Sequence, residues 1–252
     1  MMNYSNQLLL GYEYEPWYLF GTKEPILTDF SLATNKHIII AGLSGGGKTY
    51  ATKQLLARIF LLGQKQGIKI LFADFKRDDS YIQLRSCTNY FSYEQTIDAL
   101  NILYDTLHKR QSGEDSSRFP IYLIWEEYLS NVLSIKTKDK KLAEKIMQQV
   151  AEILSIGRSL NVNLFITTQT AYASVFPEGS RNNFGIIMIC GTPLRSIYEL
   201  LLPKEYIEKT TQKTFKKGEG VILLQGSDLH FMKIPWIRNE NKLNEVCIQA
   251  LS

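Results

Sequence analysis

The 252-residue chain alternates between short apolar runs and longer stretches in which apolar residues recur at helical spacing. Uninterrupted apolar runs bounded by turn residues are typical of strands buried on both faces, whereas recurrence at every third or fourth position indicates amphipathic helices. The pattern predicts strands over 37–42, 68–75, 119–128, 162–169, 184–191 and 220–226. It predicts helices over 48–64, 92–111, 140–160 and 192–202, and a short closing helix in the last dozen residues.

This alternation predicts an α/β fold with a mainly parallel central sheet and helices on both of its faces. We expect one domain over residues 1–252, because a chain of this length can bury a sizeable single core. Within it we distinguish an N-terminal strand and aromatic segment (1–35), a core (36–226) and a C-terminal extension (227–252). Residues 111–120 are predicted as a solvated loop, and 134–141 as a lysine-rich connector.

Composition and charge place the chain among ordinary globular proteins. It is 44% hydrophobic and 21% charged, and its formal charge of +4 permits an acidic partner without requiring one. The widely spaced Cys87, Cys190 and Cys247 predict buried apolar side chains in a reducing compartment. Neither a signal peptide nor an apolar run of about 20 residues, the length of a membrane helix, is found. We therefore expect a cytoplasmic protein with no membrane insertion of its own.

The stretch from Gly42 to Thr49 matches G-x-x-x-x-G-K-[ST] and lies between a predicted strand and a predicted helix, the context of a phosphate-binding loop. Glycines let successive backbone N–H groups converge on one anion, and the following helix adds its positive end. We expect Lys48 to reach the β- and γ-phosphates of ATP and Thr49 to bind Mg²⁺. The predicted nucleotide-binding residues are Gly42, Leu43, Ser44, Gly45, Gly46, Gly47, Lys48, Thr49 and Tyr50.

Polar side chains follow two further predicted strands. Glu126 and Glu127 end the strand 119–128, where Glu126 is predicted to hold Mg²⁺ and Glu127 to orient or deprotonate the attacking water. Gln169 ends the strand 162–169, where its amide can sense the γ-phosphate or the attacking water. A solvated acidic strand end and a surface glutamine are the plainer alternatives for these residues.

These motifs occur in an order that resembles the FtsK/HerA superfamily of DNA-translocating ATPases, and specifically an FtsK-like motor core. The resemblance covers roughly residues 19–226. It is carried by NKHIIIAGLSGGGKTY, LFADFKRDD, IWEEYLSNV, ILSIGRSLNVNLFITTQT, SRNNFG, LRSIYELL and KKGEGVILLQG. The phosphate loop is common to many families, whereas the ordered set of seven stretches is much more specific.

The resemblance implies a RecA-like P-loop NTPase that assembles into a homo-oligomeric ring, usually a hexamer, around double-stranded DNA and hydrolyses ATP between subunits. It implies an arginine supplied in trans, for which Arg158 is the first candidate and Arg181 and Arg195 are reserves. Arg158 can instead simply cap the end of its helix. By the same resemblance, Asp74 and Lys76 line the site or a subunit contact, or else form a surface ion pair.

Two departures from the family pattern change the expectation. Glu126 stands where the family usually has aspartate, which is compatible with Mg²⁺ binding but can slow hydrolysis. The chain also lacks the membrane segments and winged-helix tail of full-length cell-division translocases. We therefore expect a minimal motor rather than a chromosome segregation pump.

Candidate DNA contacts come from charge and small polar donors. One set is Arg181, Asn182 and Asn183, within 174–185. A second set is Lys138 and Lys140, in the segment 134–141, and a further basic segment contains Lys209, Lys213, Lys216 and Lys217. Each can equally be a solvated face. The N-terminal aromatic residues can stack on adenine, fill a groove on a neighbouring subunit or pack in the core; they are Tyr12, Tyr14, Trp17, Tyr18 and Phe20.

Three functions are compatible with these motifs. The first is an ATP-driven translocase of double-stranded DNA in plasmid or conjugative transfer or in viral genome packaging, recruited by a relaxase or by a capsid or membrane vertex protein. The second is a nucleotide-dependent recruitment factor that binds DNA or a partner without moving along it. The third is a small-molecule phosphotransferase, which is disfavoured because no arginine-rich lid is apparent.

Overall fold

The computed structural model describes residues 6–170, 175–176 and 179–252, which form one sheet with helices on both faces. The strands are β1 (Gln7–Glu13), β2 (Pro25–Asp29), β3 (Ile38–Ala41), β4 (Lys69–Asp74), β5 (Tyr90–Ser92), β6 (Ile121–Glu126), β7 (Val162–Thr168), β8 (Ile186–Cys190), β9 (Glu219–Leu224) and β10 (Asp228–Lys233). The helices are α1 (Lys48–Gly63), α2 (Thr96–Ser112), α3 (Tyr128–Lys138), α4 (Lys140–Leu160), α5 (Arg195–Leu201), α6 (Lys204–Thr211) and α7 (Glu240–Leu251).

The sheet is parallel in one part and antiparallel in the other. Its strand order is β2-β1-β10-β9-β8-β3-β7-β6-β4-β5. The six strands from β8 to β5 run parallel, whereas β9, β10, β1 and β2 are joined to them by antiparallel pairs. The mainly parallel α/β fold predicted from the sequence is therefore confirmed.

Alternate residues of the central strands face two separate cores. In β3, Ile38 and Ile40 pack towards α1 and α7, whereas Ile39 and Ala41 pack towards the helices α2 to α6 on the other face. All four side chains are fully buried. Burial of apolar side chains on both faces explains why the central strands are continuous apolar runs in the sequence rather than alternating ones.

The predicted connector over 134–141 is wrong. Residues up to Lys138 belong to α3, and only Asp139 separates α3 from α4. The Asp139 side chain accepts a hydrogen bond from the backbone N–H of Leu142, 2.9 Å away, and so caps α4. A single capping residue is enough to divide the lysine-rich stretch between two helices, because it satisfies the first free N–H groups of the second helix.

The terminal segments take part in the sheet and in one of its cores. β1 pairs with β10, and β10 pairs with β9, so strands from 1–35 and 227–252 extend the sheet of the central segment. α7 packs against α1. None of the helices in the described part of the chain is long and apolar enough to cross a bilayer.

The parallel strands give the sheet two chemically distinct edges. At the carboxyl edge, β3, β6 and β7 end and lead into Gly42, Glu127 and Gln169. At the amino edge, the same strands begin after His37, Pro120 and Asn161. Ligands of open parallel sheets bind at the carboxyl edge, so the candidate site is expected at this edge.

Candidate functional site

The phosphate loop is held against the ends of neighbouring strands. Gly42 N–H donates to the carbonyl of Thr168 at 3.2 Å, and Gly218 N–H donates to the carbonyl of Gly46 at 3.1 Å. A Cβ on Gly42 would lie 2.3 Å from the carbonyl oxygen of Cys190, and the φ angle of Gly42 is 147°. Glycine is therefore required here both by conformation and by the close approach of the β8 backbone.

Lys48, the first residue of α1, is buried below the loop. Its Nζ donates to the carbonyl of Leu43 at 3.2 Å, so the ammonium group is held within the predicted phosphate-binding loop. Burial lowers the pKa of Lys48, while the nearby Glu127 and Glu126 oppose that shift. A desolvated ammonium group at the start of a helix is well suited to a multiply charged anion.

Glu126 ends β6 in an almost completely buried position. Its two carboxylate oxygens each accept a hydrogen bond, one from the hydroxyl of Tyr81 and one from the hydroxyl of Thr167. Burial raises the pKa of Glu126, and the hydrogen bonds from Thr167 and Tyr81 counteract that effect. Because each oxygen has a second lone pair, both can still accept a further contact from the cavity.

Glu127 turns the chain between β6 and α3. Its backbone is left-handed, with φ 56° and ψ 42°, and its N–H donates to Thr167 Oγ1 at 3.0 Å. The carboxylate lies 3.5 Å from Lys76 Nζ and accepts a hydrogen bond from Ser130 at 3.3 Å. A left-handed glutamate is uncommon and costs conformational energy, which the contact from β7 helps to stabilise.

These side chains line one cavity of about 620 Å³ at the carboxyl edge. Of the predicted site residues, nine line this cavity and Gly42, Leu43 and Gly46 do not; the nine are Ser44, Gly45, Gly47, Lys48, Thr49, Tyr50, Glu126, Glu127 and Gln169. Asp74 and Lys76 also line it, and so do residues that the sequence analysis did not single out for this site, which are Lys53, Asp78, Ser80, Tyr81, Lys217, Trp236 and Glu240. The sequence therefore located the polar centre of the cavity, while much of its wall comes from distant segments.

A second cleft of about 480 Å³ adjoins the first and shares Gly47, Tyr50, Lys217 and Trp236 with it. The rings of Tyr50 and Trp236 are stacked, with centroids 4.3 Å apart and planes 6° from parallel, and Trp236 is 61% exposed. Trp17, one of the N-terminal aromatic residues, also lines this cleft. An exposed aromatic face beside cationic side chains can accept a nucleobase and its sugar.

The candidate arginines do not line the cavity of their own chain. Arg158 lies near the end of α4, at the amino edge, where it donates to the carbonyl of Ala33. Arg195 is held by Glu199 at 2.9 Å and Glu208 at 2.6 Å. Among the described residues that line the 620 Å³ cavity the cations are lysines, with no arginine.

The two sets of candidate DNA contacts lie at opposite edges of the sheet. Arg181, Asn182 and Asn183 precede β8 at the amino edge, where Asn35 Nδ2 donates to the carbonyl of Asn183. Part of the segment 174–185 lies outside the described residues. Lys138 lies at the carboxyl edge, with its Nζ 6.0 Å from the ring centroid of Tyr93, and Lys140 begins the next helix. One chain therefore does not bring these two sets together.

The oxygen atoms in the cavity suit Mg²⁺. Thr49 offers a hydroxyl and Glu126 a carboxylate, and both line the cavity that the phosphate loop borders. Mg²⁺ prefers oxygen ligands and usually keeps several waters, binding through one or two protein groups together with substrate phosphates. The residues present therefore fit this ion as part of a nucleotide complex.

Neither protein-family models nor the sequences of curated proteins give a match to this chain. Several solved structures, in contrast, have a fold similar to that of this chain. The pCW3 conjugation coupling protein TcpA, in a monomer form with ATPγS, superimposes with a TM-score of 0.70 and 18% identity over 96% of this chain and 70% of that chain. The genome packaging NTPase B204 of Sulfolobus turreted icosahedral virus 2, in complex with ATPγS, has a TM-score of 0.51 and 18% identity over 80% of this chain and 98% of that chain.

A secretion ATPase has a similar structure. The cytoplasmic domain of the Thermomonospora curvata type VII secretion ATPase EccC aligns with a TM-score of 0.70 and 14% identity over the whole of this chain, which spans 32% of that chain. At these identities the likeness establishes the fold and leaves substrate and partner to be proposed. The comparisons and the sheet topology together confirm the fold expected from the sequence, a RecA-like α/β fold with a mainly parallel central sheet and helices on both faces.

Proposed function

We propose that this chain is an ATP-hydrolysing motor subunit that works in a homo-oligomeric ring, a hexamer, and moves double-stranded DNA. The observation that carries the proposal is the meeting of Lys48, Thr49, Glu126, Glu127 and Gln169 in one cavity at the carboxyl edge. Similarity to a conjugation coupling protein and to a genome packaging NTPase supports DNA as the substrate and either setting as the biological role.

In this proposal each residue of the cavity has one task. Lys48 and the N–H groups of the loop bind the phosphates of ATP, and Thr49 and Glu126 hold Mg²⁺, which neutralises negative charge on those phosphates. Glu127 accepts a proton from the attacking water, and its position beside Lys76 and Ser130 orients the carboxylate. Gln169 senses the terminal phosphate from the end of β7.

The adenosine end of ATP is assigned to the second cleft. The cleft adjoins the phosphate loop at Gly47 and Tyr50 and presents the exposed face of Trp236. Lys217 and Arg238 add positive charge along its wall. An aromatic plane accepts any base, so we expect moderate rather than strict selectivity for adenine.

The ring would complete the site with an arginine from a neighbouring subunit. Arg158 is the first candidate. It is exposed, and its guanidinium group donates to the backbone carbonyl of Ala33. Arg195 is less suited, since its guanidinium group is already shared between Glu199 and Glu208. Arg181 is exposed at the same edge as Arg158 and is the reserve.

The proposal is tested by steady-state ATP hydrolysis with and without long linear double-stranded DNA. We expect DNA to stimulate the wild type, and both Glu127→Gln and Arg158→Ala to lose at least about 100-fold of that activity. Mixing the two variants should restore part of it, because some interfaces then contain one intact Glu127 and one intact Arg158. Turnover that is indifferent to DNA would contradict a DNA motor.

The same assay separates the alternatives. ATP binding with negligible turnover, unaffected by Glu127→Gln, would indicate a recruitment factor. Phosphate transfer to a nucleotide acceptor without DNA would indicate a phosphotransferase. Robust turnover without a response to DNA would direct attention to polypeptide substrates, given the similarity to a type VII secretion ATPase.

A further inference from the structure

A chain of polar contacts runs from the phosphate loop across the end of the sheet, and one of its members is not part of any predicted motif. The Tyr81 hydroxyl donates to Glu126 Oε1, and Tyr81 lines the same cavity as Thr49. The other carboxylate oxygen of Glu126 accepts from Thr167, which in turn accepts from the N–H of Glu127. Tyr81 thus binds one of the two side chains that are expected to hold the metal ion, and it lines the same cavity as the other.

Tyr81 is rigidly held in this position. It belongs to the short 3₁₀ helix Asp79–Leu84, which packs against α7, and it is only 2% exposed. Its ring lies against Phe72 of β4, with centroids 4.8 Å apart, and Lys53 Nζ lies 5.7 Å from the ring centroid. A phenol packed on several sides has little rotational freedom, so its hydroxyl is pre-organised.

We propose that Tyr81 is a positioning residue of the metal–nucleotide site, whose hydroxyl fixes the Glu126 carboxylate relative to the Thr49 hydroxyl. The inference rests on the proposed function, because it concerns the same cavity. Glu126 carries one more methylene than aspartate and therefore one more rotatable bond. Hydrogen bonds from Tyr81 and Thr167, one to each oxygen, remove that freedom.

The hydrogen bond from Tyr81 also influences the direction in which the free lone pairs of the Glu126 carboxylate point. Because Tyr81 and Thr167 each donate to one oxygen of Glu126, the remaining lone pairs of the carboxylate are directed away from those donors. Partners of this kind, which orient a metal ligand without touching the metal, typically change metal affinity by about 10-fold to 100-fold when they are removed. Tyr81 would act through Glu126 and would not contact the nucleotide.

The chain contains a matched control for this idea. Tyr90 donates a hydrogen bond of 2.7 Å to Asp74 Oδ2, and Asp74 is the register neighbour of Glu126 in the adjacent strand. Tyr90→Phe therefore removes the same atom from the same kind of buried tyrosine–carboxylate pair. Asp74 has no assigned part in holding the metal, so the two tyrosine variants separate positioning of the metal site from loss of a buried hydrogen bond.

The experiment measures Mn²⁺ binding to the full-length chain in the presence of saturating ADP, by electron paramagnetic resonance of free Mn²⁺. We expect Tyr81→Phe to weaken Mn²⁺ binding about 10-fold, and Tyr90→Phe to change it less than about twofold. Thermal unfolding of the ligand-free variants checks that both fold. ADP binding without a divalent ion should be equal in the two variants, because neither phenol reaches the phosphates in this assignment.

A double-mutant cycle that combines Tyr81→Phe with Glu126→Asp tests whether the effect of Tyr81 depends on the longer glutamate side chain. The shorter carboxylate is drawn back from Tyr81, so Tyr81→Phe should weaken Mn²⁺ binding less than about threefold in that background. Equal effects in both backgrounds, or unaltered or tighter Mn²⁺ binding by Tyr81→Phe alone, would overturn the inference while leaving the proposed function standing. A wild-type protein that binds no Mn²⁺ with ADP would overturn both.

Discussion

The two edges of the sheet use the same kinds of side chain for different purposes. At the carboxyl edge, Lys48 and Glu127 border an open cavity of about 620 Å³. At the amino edge, Lys36 is also buried, but its Nζ donates to Asn161 Oδ1 at 2.9 Å and lies 5.1 Å from the ring centroid of Phe30. Arg110, 2% exposed, donates to the carbonyl of Leu160 and to Asp115.

The two edges differ in the hydrogen-bonding capacity that is left for a ligand, rather than in the types of residue that they contain. At the amino edge, Lys36 donates to Asn161, and Asn161 Nδ2 donates to the carbonyl of Arg118 ahead of β6, so these groups tie neighbouring segments together. Polar groups of the carboxyl edge keep free donors and acceptors that face a cavity. A buried lysine is therefore a candidate for ligand binding only where space remains beside it.

The largest effect is expected from exchanging the two buried lysines for methionine. Lys48→Met should reduce ATP hydrolysis at least about 100-fold, because the phosphates lose a pre-organised cation. Lys36→Met should leave turnover per folded molecule within about twofold, because Lys36 lies at the opposite edge. Steady-state hydrolysis, corrected for the folded fraction, checks both. Equal losses would show that Lys36 contributes to turnover as Lys48 does, which would contradict the prediction.

The next effect concerns stability at the amino edge. Arg110→Met should lower the free energy of unfolding by about 3 kcal/mol, since it removes a buried charged donor and leaves the carbonyl of Leu160 without that partner. Arg118→Met is the control. Arg118 is exposed and donates only to nearby backbone carbonyls, so its loss should cost less than about 0.5 kcal/mol. Urea unfolding of both variants distinguishes these outcomes.

A pH effect follows from Lys36. Burial lowers the pKa of Lys36 from 10.5 to about 8 in the folded protein. Between these two values the unfolded chain holds a proton that the folded protein has released, so stability should increase as the pH rises through this window. The gain relative to Lys36→Met should be about 3 kcal/mol, because each unit of pKa difference is worth about 1.4 kcal/mol. The measurement is the free energy of unfolding of the wild type and of Lys36→Met as a function of pH. If both free energies changed equally across this window, the prediction would be wrong.

The smallest effect is expected at the second cleft of the carboxyl edge. Trp236→Ala should weaken ATP binding about 10-fold, because a base loses its stacking surface. Tripolyphosphate, which has no base, serves as the ligand control and should bind equally to both proteins. Isothermal titration calorimetry measures both ligands. If Trp236→Ala weakened the binding of ATP and of tripolyphosphate equally, Trp236 would belong to the phosphate site instead.

Much of the carboxyl edge could be predicted because its signals are local. Gly42 to Thr49 is a continuous motif, and Glu126, Glu127 and Gln169 each follow an apolar run directly. The ends of parallel strands meet at one edge, so residues at strand ends are brought together by the fold class alone. The roles assigned to them in catalysis are still predictions.

The remainder of the site could not be predicted because its residues come from segments without a pattern of their own. Tyr81 lies in a six-residue 3₁₀ helix, and Trp236 follows β10, a strand that the apolar pattern did not indicate. The burial of β10 is incomplete, with only Met232 fully buried. Arg158 was the first candidate from the sequence and Arg181 a reserve, and the strand order places both at the amino edge.

The sequence by itself determined the alternation of strands and helices, the phosphate loop and the acidic end of β6, since each depends on neighbouring residues and on backbone conformations that glycine alone adopts readily. Only the tertiary structure decided that Tyr81 meets Glu126, that Trp236 stacks on Tyr50, and that Lys36 is enclosed while Lys48 faces a cavity. The reason is that contacts across a sheet depend on strand order and packing, which bring together residues far apart in the chain.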